Sequence, residues 1–159
     1  MATAAVHRLV PAWTPDGLHW RPAGTGPWPL WESDPTPGCP HDTALPMAVA
    51  DVLVEPHLAA LVAATLAVES VSARVLWGNA GSALAAAGRL VAQARPRAAE
   101  RALGIVEAVL DTGSMVGTGW FEPGWSFRRR SCCLYYRIPG GGVCDDCVQG
   151  TRWCDPGTS

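Results

Sequence analysis

The residues with the most distinctive chemistry lie near the C-terminus, in Arg128-Arg129-Arg130-Ser131-Cys132-Cys133-Leu134-Tyr135-Tyr136-Arg137-Ile138-Pro139-Gly140-Gly141-Gly142-Val143-Cys144-Asp145-Asp146-Cys147. The pattern is an adjacent cysteine pair, ten intervening residues and a C-x-x-C. Four thiolates supply the full protein ligation of one [2Fe-2S] cluster: a C-x-x-C bite fits one iron, and the loop brings the other pair to the second. Pro139 and the triple glycine let the loop reverse tightly and let backbone N–H groups approach sulfur. Structural zinc sites usually use two short-spaced pairs, so the adjacent pair leaves zinc as second choice. Neighbouring cysteines do not easily bond each other, and disulfide frameworks belong to oxidising compartments. A C-x-x-C alone also fits thioredoxin-like sites; the added pair, glycine loop and arginines narrow the reading.

Arg128, Arg129, Arg130 and Arg137 surround these thiols, where they attract an anionic ligand or raise a redox potential by offsetting negative charge. The competing reading is an exposed basic strip paired with Asp145, Asp146 or Asp155. Trp120 and Trp125 fit either a binding surface or the core. Trp77 and Asn79 stand out because asparagine within a helix is locally unfavourable and either caps a break or bonds across to the cysteine loop. Cys39 and Cys154 have no assigned role, Cys154 reading as a free thiol before a spare ligand, and His41 and His57 read as solvated or core histidines.

The elements that must position these groups follow from composition. With 159 residues, 48% hydrophobic and 16% charged, the chain is sized for one ordinary domain and is too apolar to be wholly disordered. All twelve basic residues are arginine, and the net charge of -2 provides no general attraction to nucleic acid. Residues 1–46 hold nine of the fourteen prolines and four of the eight tryptophans. They predict an extended cover segment pinned by its tryptophans, with Leu18-His19-Trp20 and Trp28-Pro29-Leu30-Trp31 as short strands around a turn, or equally on composition a partly disordered arm. Residues 47–112 predict a helical body with three amphipathic stripes. These are Leu58, Leu61, Val62 and Leu66; Leu76, Ala80, Ala83, Leu84, Ala87 and Val91; and Ala99, Ala102, Leu103, Val106, Val109 and Leu110. Pro56 and Pro96 read as helix starts, and Gly113 as a stop. Glycines 78, 81, 88 and 104 each weaken a helix by about 1 kcal/mol, so close approach or a break near Trp77–Gly81 should compensate.

Residues 113–127 predict an irregular, aromatic-packed connector, followed by the cysteine region at 128–154 and a tail at 155–159. The fold class is mainly α, with α+β as an alternative: a compact helical bundle carrying a C-terminal cysteine-rich loop and a Pro/Trp-rich N-terminal cover. Residues 1–10 lack a secretory pattern, and the uncharged stretch Leu58–Val68 is far short of a membrane span, so no transmembrane segment is expected and the simplest location is cytoplasmic.

The stretch from Arg129 through Cys147 resembles the C-terminal [2Fe-2S] motif of FhuF-like ferric-siderophore reductases, and Leu76-Trp77-Gly78-Asn79-Ala80 with Ser82 is similar to a signature upstream of that motif. The resemblance covers about residues 45–148. It implies cluster ligation by Cys132, Cys133, Cys144 and Cys147, and one-electron reduction that releases iron from an imported, hydroxamate-type ferric siderophore. It also implies a cytoplasmic or peripheral place at the inner face of a membrane. The chain is shorter than typical members in its N-terminal region.

Oxygen ligands hold Fe(III) far more tightly than the larger, less charged Fe(II), so one added electron loosens the chelate. The chain shows no catalytic triad, paired-carboxylate signal or nucleotide fingerprint, so an external donor such as a ferredoxin or flavin reductase is expected. A non-enzymatic [2Fe-2S] electron-transfer module serving a partner protein is the alternative, followed by a structural zinc domain.

Overall fold

The computed structural model describes residues 1–25, 28–33, 36–38 and 43–148. Cys39, His41, Cys154 and the tail at 155–159 lie outside the described residues. The fold is mainly helical with three two-stranded antiparallel pairings.

Helix α1 spans Ala2–His7, α2 Leu45–Leu53, α3 Ala60–Val68, α4 Ala73–Ala94 and α5 Ala99–Leu110. Helix α5 is the centre of the core: Ala102, Ile105, Val106 and Val109 are wholly buried and pack against α1, α2 and α4. Four of these positions and Leu110 follow the helical spacing of one apolar stripe. Pro96 opens a 3-10 turn, Pro96–Ala98, that feeds α5, as its fixed φ favours.

Pro56 does not start a helix. It lies inside a π-helical segment, Val54–Ala59, that joins α2 to α3 without a break. Proline has no N–H to donate and its ring crowds the carbonyl one turn back, and a locally widened turn accommodates both. The proposed stripe on Leu58, Leu61, Val62 and Leu66 is also corrected: α3 has no buried residue, and Leu61 and Leu66 face solvent. Leu45–Val68 is thereby 24 residues long with a mean hydropathy of 1.6, enough by length and composition to cross a membrane, whereas the uncharged stretch read alone was too short. Its first half carries Asp51 and Glu55 and seats Leu45, Val49, Ala50 and Val54 in the core.

Ser72 caps α4, its Oγ accepting from the Arg74 N–H at 3.3 Å. No break occurs near Trp77–Gly81. Close approach compensates instead, because the buried face of α4 is Gly78, Gly81, Leu84, Ala85, Gly88 and Val91, with Ala83 exposed. A methyl at Gly78 would strike the Ser131 hydroxyl; one at Gly81 would come within 2.9 Å of Thr118 Oγ1 and 3.3 Å of Phe127; one at Gly88 would come within 2.7 Å of Val106. Gly104 faces open space and has no such role.

The expected irregular connector contains an ordered hairpin. Strands β5 (Gly119–Glu122) and β6 (Ser126–Arg129) pair in the register Phe121↔Phe127. Gly124 and Trp125 take positive φ at the turn, which glycine does freely and tryptophan only under local strain. In the N-terminal region β1 (Val10–Ala12) pairs with β4 (Thr36–Gly38), and β2 (Leu18–Trp20) with β3 (Leu30–Glu32), the latter close to the hairpin expected. The tryptophans do not pin it. Trp20, Trp28 and Trp31 are exposed, Trp20 stacking on Trp28 with ring centroids 5.1 Å apart, while Trp13 alone of the four meets the body, beside His57.

Candidate metal centre

Strand β6 runs directly into the cysteines, and its last residue joins them to α4. Arg129 is 6% exposed. Its Nε donates to Asp146 Oδ2 at 2.8 Å, its Nη1 donates to Asn79 Oδ1 on α4, and its Nη2 lies 4.0 Å from Cys144 Sγ. Its backbone N–H donates to the Asp146 carbonyl at 3.1 Å, and Ser82 on α4 borders the same cleft as Asp146. Burial alone would raise the Asp146 carboxyl, but Ser82, Arg129 and Cys144 outweigh it and hold it below its ordinary value. Burial likewise works against the Arg129 charge, and Asp146 with the Cys133 and Cys144 sulfurs more than offsets it.

Past β6 the chain turns at Leu134, in the left-handed region with φ 64, and the Leu134 N–H points to Cys132 Sγ at 3.4 Å. A non-glycine residue there costs about 1 kcal/mol. The 3-10 turn Tyr135–Arg137 and Gly140, with φ +75, reverse the loop. A side chain at Gly141 would collide with the Tyr135 and Ile138 carbonyls. This packing brings Cys144 back to Cys133, Sγ to Sγ 3.3 Å, and the Cys147 N–H donates to the Cys144 carbonyl at 3.0 Å to close the C-x-x-C turn.

Cys132, Cys133, Cys144 and Cys147 line one cavity of about 260 Å³ with Tyr135, Tyr136, Gly141, Gly142 and Val143. Among the described residues no three His, Cys, Asp or Glu side chains gather tightly enough to hold a single ion. The four sulfurs border one common space, and an all-thiol donor set suits iron–sulfur chemistry. Burial, followed by Cys133 and Asp146, pushes the Cys144 thiol up to about 12. Such a thiol stays protonated at neutral pH until a metal displaces the proton, so loading the site releases protons.

The arginines predicted together are separated. Arg129 faces inward. Arg128 is paired with Glu122 at 3.0 Å and donates to the Asp145 carbonyl. Arg130 is exposed, its guanidinium 5.7 Å from the Trp120 ring centroid, and Arg137 is exposed beside Tyr136. Trp125 packs edge-on to Phe121 and borders a second cleft with Ser82, Arg89 and Asp146, and it does not line the cysteine cavity. Trp77 is half-buried against the core on the same helix as Asn79. Sequence reasoning singled out Ser82 only within the upstream signature, and missed Arg74 and the inward role of Asp146. Arg74 carried no signal, because its partner, the Arg130 carbonyl at 3.1 Å, is remote in the chain.

Residues 129–149 match the family described as the FhuF 2Fe-2S C-terminal domain. No curated protein and no solved structure matches the chain. The matched segment covers the cysteine cavity and the Arg129–Asp146 pair, so the C-terminal segment is similar to a FhuF-type domain, and that similarity supports a [2Fe-2S] cluster as its cofactor.

Proposed function

We propose that Cys132, Cys133, Cys144 and Cys147 hold this [2Fe-2S] cluster and that the protein is a ferric-siderophore reductase. The observation that carries the reading is the lining of one cavity by all four thiols inside the segment that matches the FhuF domain. When bound, the cluster supplies a one-electron couple, which takes Fe(III) in a chelate to Fe(II) and is restored by an external reductant.

The chain's own residues set the conditions. The Leu134 N–H and the Arg129 guanidinium are directed at Cys132 and Cys144, where they stabilise negative charge on sulfur and raise the potential. Arg129, Asp146 and Asn79 fix the C-x-x-C half of the loop to α4, so the two halves of the site keep their spacing. Tyr135, Tyr136 and Val143 cover the cavity but remain exposed on their outer faces, so an electron has a short path to solvent.

Electron paramagnetic resonance of anaerobically purified protein should be silent when oxidised and show a spin-one-half signal after dithionite. Adding a ferric siderophore should then erase the signal and release Fe(II) to a ferrous chelator. A reduced protein reoxidised only by a protein partner would overturn the reductase reading in favour of an electron carrier.

A further inference from the structure

A third cleft, of about 320 Å³, adjoins the cysteine loop where the start of α4 meets the end of β6. Arg74, Trp77, Ser114, Thr118, Arg130 and Ser131 border it, and no acidic residue does. Neither guanidinium has a carboxylate partner among the described residues. Arg74 is held by the Arg130 carbonyl at 3.1 Å, and Arg130 lies over Trp120. Both are therefore placed without being neutralised by any described residue.

A second, independent feature points to a ligand. Ser131 is 8% exposed, and its Oγ is buried with no hydrogen-bond partner among the described residues. Buried hydroxyls are almost always satisfied, so the Ser131 hydroxyl is a donor for which no described residue supplies an acceptor. The absence of a side chain at Gly78 makes the room in which this hydroxyl sits. Ser131 is joined directly to Cys132, so whatever occupies the cleft lies next to the first cysteine.

We propose that this cleft binds an anionic, oxygen-donor metal chelate, its negative rim held between Arg74 and Arg130, with the Ser131 hydroxyl rotating away from Gly78 to donate to one of its oxygens. The inference rests on the reductase reading and narrows its substrate class. A cluster with four thiolate ligands is net negative and repels an anionic chelate, so two unneutralised arginines at the point of approach serve to offset that repulsion. A cationic or neutral trihydroxamate chelate has no such need. Guanidinium groups also donate in pairs to carboxylate-type oxygens, which adds orientation to attraction.

The test uses gallium(III) chelates, which mimic ferric ones but accept no electron, and calorimetric titration of the oxidised holoprotein. Gallium(III) citrate should bind, and Arg74→Gln and Arg130→Gln should each weaken it about tenfold, the scale of one lost charge-assisted hydrogen bond. Arg74→Lys should recover much of the loss, and binding of the cationic gallium(III) complex of desferrioxamine B should not depend on either arginine. Arg74 is exposed, so its variants are expected to fold, and an unchanged cluster spectrum verifies it. The proposal is overturned if wild type does not bind gallium(III) citrate, if both glutamine variants bind it as wild type does, or if metal-free citrate binds equally well. Failure of every ferric chelate to reoxidise the reduced protein would sink the reductase reading instead, and would leave the gallium result intact.

Discussion

Strands β2–β3 and β5–β6 form two hairpins of similar size, three and four residues to a strand, each rich in aromatic residues. A two-stranded hairpin has little stability of its own in water, and the two differ in what lies beneath. Hairpin β5–β6 rests on the glycine face of α4: Phe127 is buried, Gly81 and Gly119 admit its ring, and Arg129 reaches through to Asn79. Hairpin β2–β3 stacks its aromatics on one another and shows Trp20, Trp28, Leu30 and Trp31 to solvent. Aromatic content does not make a hairpin a platform; a helix face without side chains does.

The contrast is broken most severely at Arg129. Arg129→Ala strands Asp146 in a partly buried site and should cost about 3–5 kcal/mol by chemical denaturation, with loss of cluster absorbance. His19→Ala removes the exposed 2.6 Å contact to Ser33 in the other hairpin and should change stability by less than about 0.5 kcal/mol. Next comes the surface under each hairpin. Gly81→Val overfills the gap to Thr118 and Phe127 and should cost about 2 kcal/mol, whereas Gly24→Val, with nothing within 4 Å of its added carbon, should be close to neutral.

Acid should sharpen the difference further. Asp146 titrates below its unfolded value, so its contribution is complete above the ordinary carboxylate pKa and is lost as pH falls through the depressed one. The stability gap between wild type and Asp146→Asn should therefore be constant near neutrality and shrink on acidification. A small effect is also expected at Trp28→Ser, which removes one exposed stack and should cost about 1 kcal/mol or less, leaving the spin-one-half signal unchanged.

Much of this was legible in the sequence wherever the signal is local. The cysteine spacing, the α5 stripe and the β2–β3 strands each occupy a short stretch of chain, and Asn79 announced itself as a polar residue out of place in a helix. Three things were not legible. Pro56 looks like a start because its effect on a straight α-helix is known, whereas a π segment depends on the helices either side. The β5–β6 strands were hidden by the glycines that let them approach α4. Arg129 and Arg130 are neighbours with the same side chain, and which one turns inward depends on Asp146 and Asn79, far away in the chain.

That distance bears on the order in which the molecule is made. The Arg129–Asn79 bond spans fifty residues and the Arg74–Arg130 bond fifty-six. Closing such long loops is entropically slow, while the turns within each helix need only near neighbours. The helical body is thus expected to form first and the cysteine strap to dock late, on a surface already built. Iron and sulfide would then meet a folded scaffold with an open clasp, and maturation becomes the fastening of a finished protein rather than the nucleation of an unfinished one.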